Sequence, residues 1–287
     1  MAHRHQPSLE GRLDFSAIIP VFADQQQRAP GTLVRLTFEY ARSVEAQDKL
    51  LRAFFQCLDL DVLNDNGNEL DDDRELAAYR EPLFGFADHL INHFFLPLRA
   101  ATGKTRSPPP PTMLRSSRSK PNRSSSSDFR KAAIAILNMF DVGVIHLIEG
   151  TNINRPYNAM TLSLEMHRLF GNFDIFFERV TETPHTYNIR TFDPFFEKGL
   201  NLPVRRTFFE HPSIDPPSER LLALHSAIGH VLHLSGAGEY IDRILRDLED
   251  GMVREDGSTQ LGPLVNLALG ARANPKMGSF GSLLVGS

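Results

Sequence analysis

The stretch that decides the fold is RPYNAMTLSLEMHRLFG, residues 155–171. Asn158 ends a polar, proline-containing loop, and the short apolar run after it predicts a β-strand over residues 159–162. Ser163 is a favourable helix N-cap, and the apolar residues that follow recur at helical spacing. The glycine that closes the stretch is typical of a helix C-terminus. The sequence therefore predicts an asparagine at the end of a loop and, nine residues later, a histidine, His167, on a helix.

The flanking sequence predicts a mainly helical chain with a small antiparallel β region, an α+β fold. A β-branched run predicts a strand over residues 142–148. Two apolar runs, residues 173–180 and 186–192, are separated by a short polar turn and predict a β-hairpin. Elsewhere the apolar residues follow a helical period. Helices are expected over residues 50–58, 75–98, 128–140, 218–234 and 239–249.

Composition divides the chain into five parts. One break contains four consecutive prolines and four consecutive serines, and such a segment cannot bury enough apolar surface to offset its ordering entropy. Six basic residues lie between Lys104 and Arg123, and the first acidic residue after them is Asp128. The predicted parts are a loosely ordered lead (1–40), a helical region (41–102), a disordered Pro/Ser/Arg linker (103–128), an α+β domain (129–250) and a disordered tail (251–287).

Charge and cysteine content exclude several classes of protein. The formal net charge of -4 argues against a surface that coats nucleic acid nonspecifically, although it allows a local basic patch. The single cysteine, Cys57, permits neither an intrachain disulfide nor a cysteine-based zinc site. It fits a reducing compartment, the cytosol or the nucleus. No apolar run approaches the ~18 residues of a membrane span, so no membrane partner is expected.

Several blocks of this sequence resemble fungal proteins with an HNH nuclease domain, also called ββα-metal endonucleases. Residues 155–171 look like the segment that carries their Asn and last His. DVGVIHLIEG (141–150) and LHLSGAGEYI (232–241) resemble further blocks of these proteins. In all, the likeness spans residues 45–103 and 129–250. It implies an α+β fold with a degenerate ββα-metal motif.

The resemblance also implies roles for particular residues. HNH nucleases hydrolyse phosphodiesters with one divalent metal ion and an activated water. By the resemblance His167 is the metal ligand, and Asn158 orients the catalytic base or the hairpin. The base itself is a histidine on an earlier strand, which removes the proton from water. An active protein would bind Mg, Mn, Ni or Zn and act on DNA or RNA as a hydrolase; an inactive one would need no cofactor.

This chain departs from the pattern where the base should lie. No histidine occurs between His93 and His146, and the linker occupies the place of the first strand. A deletion and an error in the gene model are both consistent with this gap. His146 is the nearest histidine and the candidate substitute base. We therefore expect an impaired or inactive pseudo-nuclease, or a binding module that contacts DNA or RNA through the basic linker. The alternatives are an active metal-dependent HNH endonuclease and an accessory protein of fungal secondary metabolism with unrelated chemistry.

Two other groups of histidines have mainly structural interpretations. His89 and His93 are four residues apart, a spacing that suits a metal pair, but no third ligand is evident. His225, His230 and His233 lie on one expected helix, where His225 is about 140° round the axis from His230. They do not form a clean ligand triad, and their apolar neighbours predict a buried packing helix.

Overall fold

The structure, a computed structural model, describes residues 30–57, 79–103, 123–209 and 211–249. It is mainly helical with one three-stranded antiparallel sheet, which confirms the α+β prediction. The predicted tail, most of the linker and most of the lead lie outside the described residues, as does the acidic stretch before residue 79.

The helices agree closely with the periodicity of the sequence. Those in the described part are α1 Pro30–Glu39, α2 Val44–Cys57, α3 Arg80–Leu90, α4 Leu96–Gly103, α5 Arg123–Phe140, α6 Leu164–Gly171, α7 Pro194–Gly199, α8 Glu219–Leu234 and α9 Ala237–Glu249. A π-helical turn, Ile91–Phe95, joins α3 to α4. Helix α1 lies inside the stretch predicted as a loosely ordered lead, because its Leu33, Val34 and Leu36 find a buried surface that local sequence does not reveal.

Helices α1 to α5 pack with α8 and α9 around one apolar core. Phe54 of α2 meets Phe86 of α3 edge to face, with ring centroids 5.4 Å apart. Phe140 of α5 is fully buried and packs edge to face on Phe95 at 6.0 Å. Val231 of α8 is buried in the same cluster. The residues on both sides of the predicted linker therefore share one core.

A buried carboxylate joins three segments at the edge of this core. Asp141 follows α5, and its side chain is about 10% exposed. The Arg220 Nε at the start of α8 and the Arg42 Nη1 between α1 and α2 each donate to Asp141 Oδ2 at 3.0 Å. Arg42 also donates to the Arg220 carbonyl oxygen at 2.7 Å. Such a charge-assisted network fixes the N-terminal helices against α5 and α8.

The sheet has the strand order β1-β2-β3, with β1 Ile175–Arg179, β2 Thr186–Thr191 and β3 Val204–Thr207. Strands β1 and β2 pair antiparallel, as the hairpin prediction required. Strand β3 extends the sheet by pairing antiparallel with β2. The sequence did not predict β3, because VRRT offers a single apolar residue and no alternating pattern.

A second, smaller core holds α6 and α7 against one face of the sheet. Ile175, Phe177 and Ile189 supply the face, and Leu169 and Phe170 of α6 pack on it. The position of α6 is therefore set by the sheet that follows it in the chain. In a ββα motif the hairpin precedes its helix, so this sheet is not the hairpin of such a motif.

Two predicted strands are wrong. Residues 142–148 form the 3₁₀ turn Val144–Leu147, and residues 159–162 have no strand partner among the described residues. Gly143 adopts a left-handed conformation, φ 77°, and its N–H donates to Asn138 Oδ1 at 3.0 Å. This turn ends α5 and starts the 3₁₀ turn, so tertiary constraints override the β propensity of Val144 and its neighbours.

Candidate functional site

Helix α6 begins as the sequence predicts. Ser163 has extended backbone geometry, and its Oγ accepts the N–H of Met166 at 3.4 Å. Leu169 and Phe170 face the sheet and are buried. His167 is partly exposed. It belongs to neither of the two buried apolar clusters.

Asn158 is buried and organises the loop before α6. Its side-chain Nδ2 donates to the carbonyl oxygens of Leu147 and Asn152, at 2.8 Å each. These bonds tie together three consecutive 3₁₀ turns, Val144–Leu147, Gly150–Asn154 and Pro156–Asn158. The residue is 5% exposed, and its Oδ1 has no hydrogen-bond partner among the described residues. Because both amide hydrogens are already donated, the side chain is fixed in this orientation.

His146 occupies the same loop but projects into solvent. It lies on the first 3₁₀ turn, and 75% of its side chain is exposed. Its Nδ1 is 2.9 Å from Glu149 Oε1, and its carbonyl oxygen accepts the side-chain amide of Asn152 at 2.8 Å. No hydrogen bond or ring contact joins it to His167 within the described part of the chain. The structure thus gives Asn158 a clear role in holding the loop and does not bring the two histidines together.

The described residues do not assemble a metal-ligand set. Among them no group of three or more His, Cys, Asp or Glu side chains is placed to hold a metal ion. Residues 104–122 lie outside the described part, and their sequence contains none of these four residue types. The rings of His89 and His93 are 4.5 Å apart, and His93 Nδ1 donates to the His89 carbonyl at 3.1 Å. The described residues around His167 therefore do not by themselves supply a divalent-ion site.

His225 has the structural role expected from its apolar helix. It is completely buried, and its ring lies 3.7 Å from that of Phe170 and 4.4 Å from that of Phe173. Its Nε2 donates to the Phe170 carbonyl at 2.8 Å. Burial lowers the pKa of His225 to about 3, so the ring is neutral at physiological pH. It links α8 to the end of α6.

The sequence did not predict one cluster of titratable groups. Asp174 precedes β1, and His233 of α8 lies with its Nε2 3.8 Å from Asp174 Oδ1 and 3.0 Å from the Phe173 carbonyl. Burial raises the pKa of Asp174 to about 6, although Arg99 opposes the shift. Arg99 itself makes a two-point ion pair with Asp242 at 2.7 and 3.0 Å. These residues are far apart in sequence, so no local pattern could have predicted their proximity.

Comparison with known protein families finds a match in one part of the chain. The model of the HNH endonuclease family matches residues 114–178. The matched segment includes α5, the three 3₁₀ turns and α6, and therefore both Asn158 and His167. This part of the chain is similar to HNH endonucleases, and the predicted resemblance is confirmed there. No curated protein and no solved structure matches the chain. None of the described helices is long and apolar enough to cross a membrane.

Proposed function

We propose that this protein is an HNH-nuclease-like binding module that does not hydrolyse phosphodiesters with a metal ion. The observation that carries the proposal is the setting of His167. The residue is partly exposed, yet the described residues place no group of three or more His, Cys, Asp or Glu side chains to hold a metal ion there. No hydrogen bond joins it to the candidate base His146 in the described part of the chain. The family's other element, Asn158, keeps its loop ordered.

The chemistry of hydrolysis explains why this arrangement is inactive. Attack on a phosphodiester needs a base for the water and positive charge for the phosphate and the leaving oxygen. A general base alone typically contributes ~10²–10⁴-fold. His146 is the candidate substitute, but its imidazole is held by Glu149 at the surface. A site that lacks both the base and the positive charge loses more rate enhancement than either one contributes alone.

Binding requires less of the site than hydrolysis does. Contacts between cationic side chains and phosphates dominate the affinity of most nucleic-acid complexes. Arg155 and Arg168 flank the loop and His167 in sequence, are exposed, and form no ion pair with a described residue. The basic residues between Lys104 and Arg123 add positive charge just before α5. We propose DNA or RNA as the partner, in the cytosol or the nucleus.

A nicking assay tests the inactivity. Supercoiled plasmid and single-stranded oligonucleotide are incubated with the full chain and, separately, with Mg, Mn, Ni or Zn. We expect no cleavage above that of His167→Ala, with salt-sensitive binding of the same nucleic acids by both proteins. His185→Ala is a suitable control, because His185 is a partly exposed histidine on the β1–β2 turn.

The alternative, an active HNH endonuclease, is favoured by one observation, the accessibility of His167 within the family-matched segment. Metal-dependent nicking by the wild type that disappears in His167→Ala and persists in His185→Ala would establish it. Loss in His146→Ala as well would assign His146 as the base. Either result overturns the proposed inactivity.

A further inference from the structure

Strand β3 carries exposed positive charge at the edge of the sheet. Arg205 and Arg206 are exposed, and neither makes a close ion pair with a described carboxylate, although the charge of Arg205 helps to lower the pKa of Glu182. Arg205 Nε donates to Asn188 Oδ1 at 3.3 Å, and Arg206 Nη1 donates to the Arg205 carbonyl at 2.9 Å. The arginines of the other strands differ, since Arg179 pairs with Glu219 at 2.8 Å and Arg190 with Glu178 at 2.7 Å. The available charge of the sheet is therefore concentrated on β3.

An exposed aromatic ring follows this charge directly. Phe209 is 94% exposed, an unfavourable setting for a large apolar side chain. Its neighbour Phe208 is anchored: the Phe208 N–H donates to the His185 carbonyl at 2.9 Å, and its ring lies 5.6 Å from that of Tyr187. The chain before Phe209 is thus held by the sheet, while the Phe209 ring makes no aromatic contact with a described residue and stays exposed.

We infer that β3 and Phe209 form a binding surface for single-stranded nucleic acid. The arginines contact backbone phosphates and the phenylalanine stacks on a base. Cationic grooves combined with exposed aromatic rings are how proteins hold single strands, because every unpaired base offers a face for stacking. In a duplex the faces of the bases are covered by their neighbours, so Phe209 favours single strands. The inference deepens the proposed function by naming the form of nucleic acid and a surface distinct from the linker.

The composition of β3 disfavours the other partner that an edge strand can take, an added peptide strand. Charged side chains on a short edge strand oppose strand addition. Two of the four residues of β3 are arginines, and Val204 is its one apolar residue. Protection of the sheet edge against strand addition would explain the two arginines. It does not explain why Phe209 is exposed.

Fluorescence anisotropy with a labelled single-stranded oligonucleotide and its duplex, in EDTA, tests the inference on the full chain. For Arg205→Ala/Arg206→Ala, the slope of log affinity against log salt should fall by ~0.7 for each arginine, about 1.4 in total. Lys at both positions should restore most of the slope, since the charge remains. The matched control is Arg52→Ala/Arg246→Ala, which removes two exposed arginines of α2 and α9 and should leave the slope unchanged.

Phe209→Ala should weaken single-strand binding about fivefold or more, with the salt slope and duplex binding unaltered. Leu234→Ala is its control, because Leu234 is also an exposed apolar side chain. Both effects must persist when Arg115, Arg118 and Lys120 are replaced by Ser, which separates β3 from the basic segment. Equal behaviour of variants and controls, or association with peptides only, overturns the inference.

The outcome is independent of nuclease activity. If the wild type nicks DNA while the β3 variants still lose single-strand affinity, the proposed inactivity fails and this surface stands. If the wild type is inactive and the β3 variants bind as the controls do, the surface is wrong and the inactivity stands. If neither the wild type nor any variant binds oligonucleotides, both the proposed surface and the proposed partner are wrong.

Discussion

Replacing Asp174 by Asn should stabilise the protein at neutral pH. The Asp174 side chain is 21% exposed, and burial raises its pKa to about 6 from an ordinary value of 3.8. The charges of Arg99 and the hydrogen bond from Asn172 act in the opposite direction and do not offset the burial. The folded chain therefore holds the proton of Asp174 more tightly than the unfolded chain does.

The sign and size of the effect follow from this difference. Above about pH 6 the folded protein contains an ionised, poorly solvated carboxylate, and below pH 3.8 the carboxyl is neutral in both states. The free energy of unfolding should thus decrease as pH rises from 3.8 to about 6. At about 1.4 kcal/mol for each unit of pKa, the full cost at pH 7.5 is ~3 kcal/mol. Asn removes the charge and keeps the shape, so a gain of ~1–3 kcal/mol is expected.

Urea unfolding followed by circular dichroism at pH 7.5 and pH 4 measures this gain. The stabilisation by Asp174→Asn should be present at pH 7.5 and nearly absent at pH 4. Asp215→Asn, a change at an exposed carboxylate, should have little effect at either pH. A destabilised Asp174→Asn protein at pH 7.5, or a gain equal at both pH values, would refute the reasoning, because it would mean that partners hold the charge more strongly than burial disfavours it.

Three other changes test separate parts of the structure. Asp141→Asn should lower the free energy of unfolding in a urea titration by ~2–4 kcal/mol, because it removes the charge at a buried three-way network. The control Asp128→Asn, at an exposed ion pair, should lower it by less than ~0.5 kcal/mol in the same titration. Asn158→Ala should cost ~2–3 kcal/mol through its two lost hydrogen bonds and should open the 3₁₀ loop to limited proteolysis, whereas proteolysis as slow as in the wild type would argue against that role. The pKa of His225 is lowered to about 3 by burial, so stability should fall as pH drops from 6.5 towards 3; His225→Phe should flatten this part of the stability curve, and an unchanged curve would contradict the assignment.

The sequence predicted elements whose signal is local and missed those set by contacts. The long helix over residues 218–234 and the hairpin have strong periodicity, and Ser163 caps its helix as expected. The predicted strand over residues 142–148 is wrong because the left-handed Gly143, whose N–H donates to Asn138 Oδ1, turns the chain there. The sequence did not predict strand β3, because β3 is a strand through its pairing with β2 and not through its composition.

The sequence predicted which residues belong to the candidate site better than it predicted their arrangement. The resemblance located Asn158 and His167, and the structure shows how the amide of Asn158 holds the loop that leads to α6. That His146 would be turned outward could not be known, since it depends on Glu149 and on a 3₁₀ turn in place of a strand. The pairing of Asp174 with His233 depends on the packing of α8 across β1, which spans 60 residues of sequence.

Helices α2, α3 and α4 share a single core with α5 and α8. This arrangement affects how such a chain tolerates insertions and deletions. These helices are held by Phe54, Phe95, Phe140 and Val231, whatever length of polypeptide runs from α4 to α5. The entropy of closing that connection grows slowly, by ~0.6 kcal/mol for each doubling of its length. Insertion or loss of a whole catalytic strand between the two helices would therefore leave the framework standing. A chain with this arrangement could gain or lose a segment between α4 and α5 in one event and remain folded.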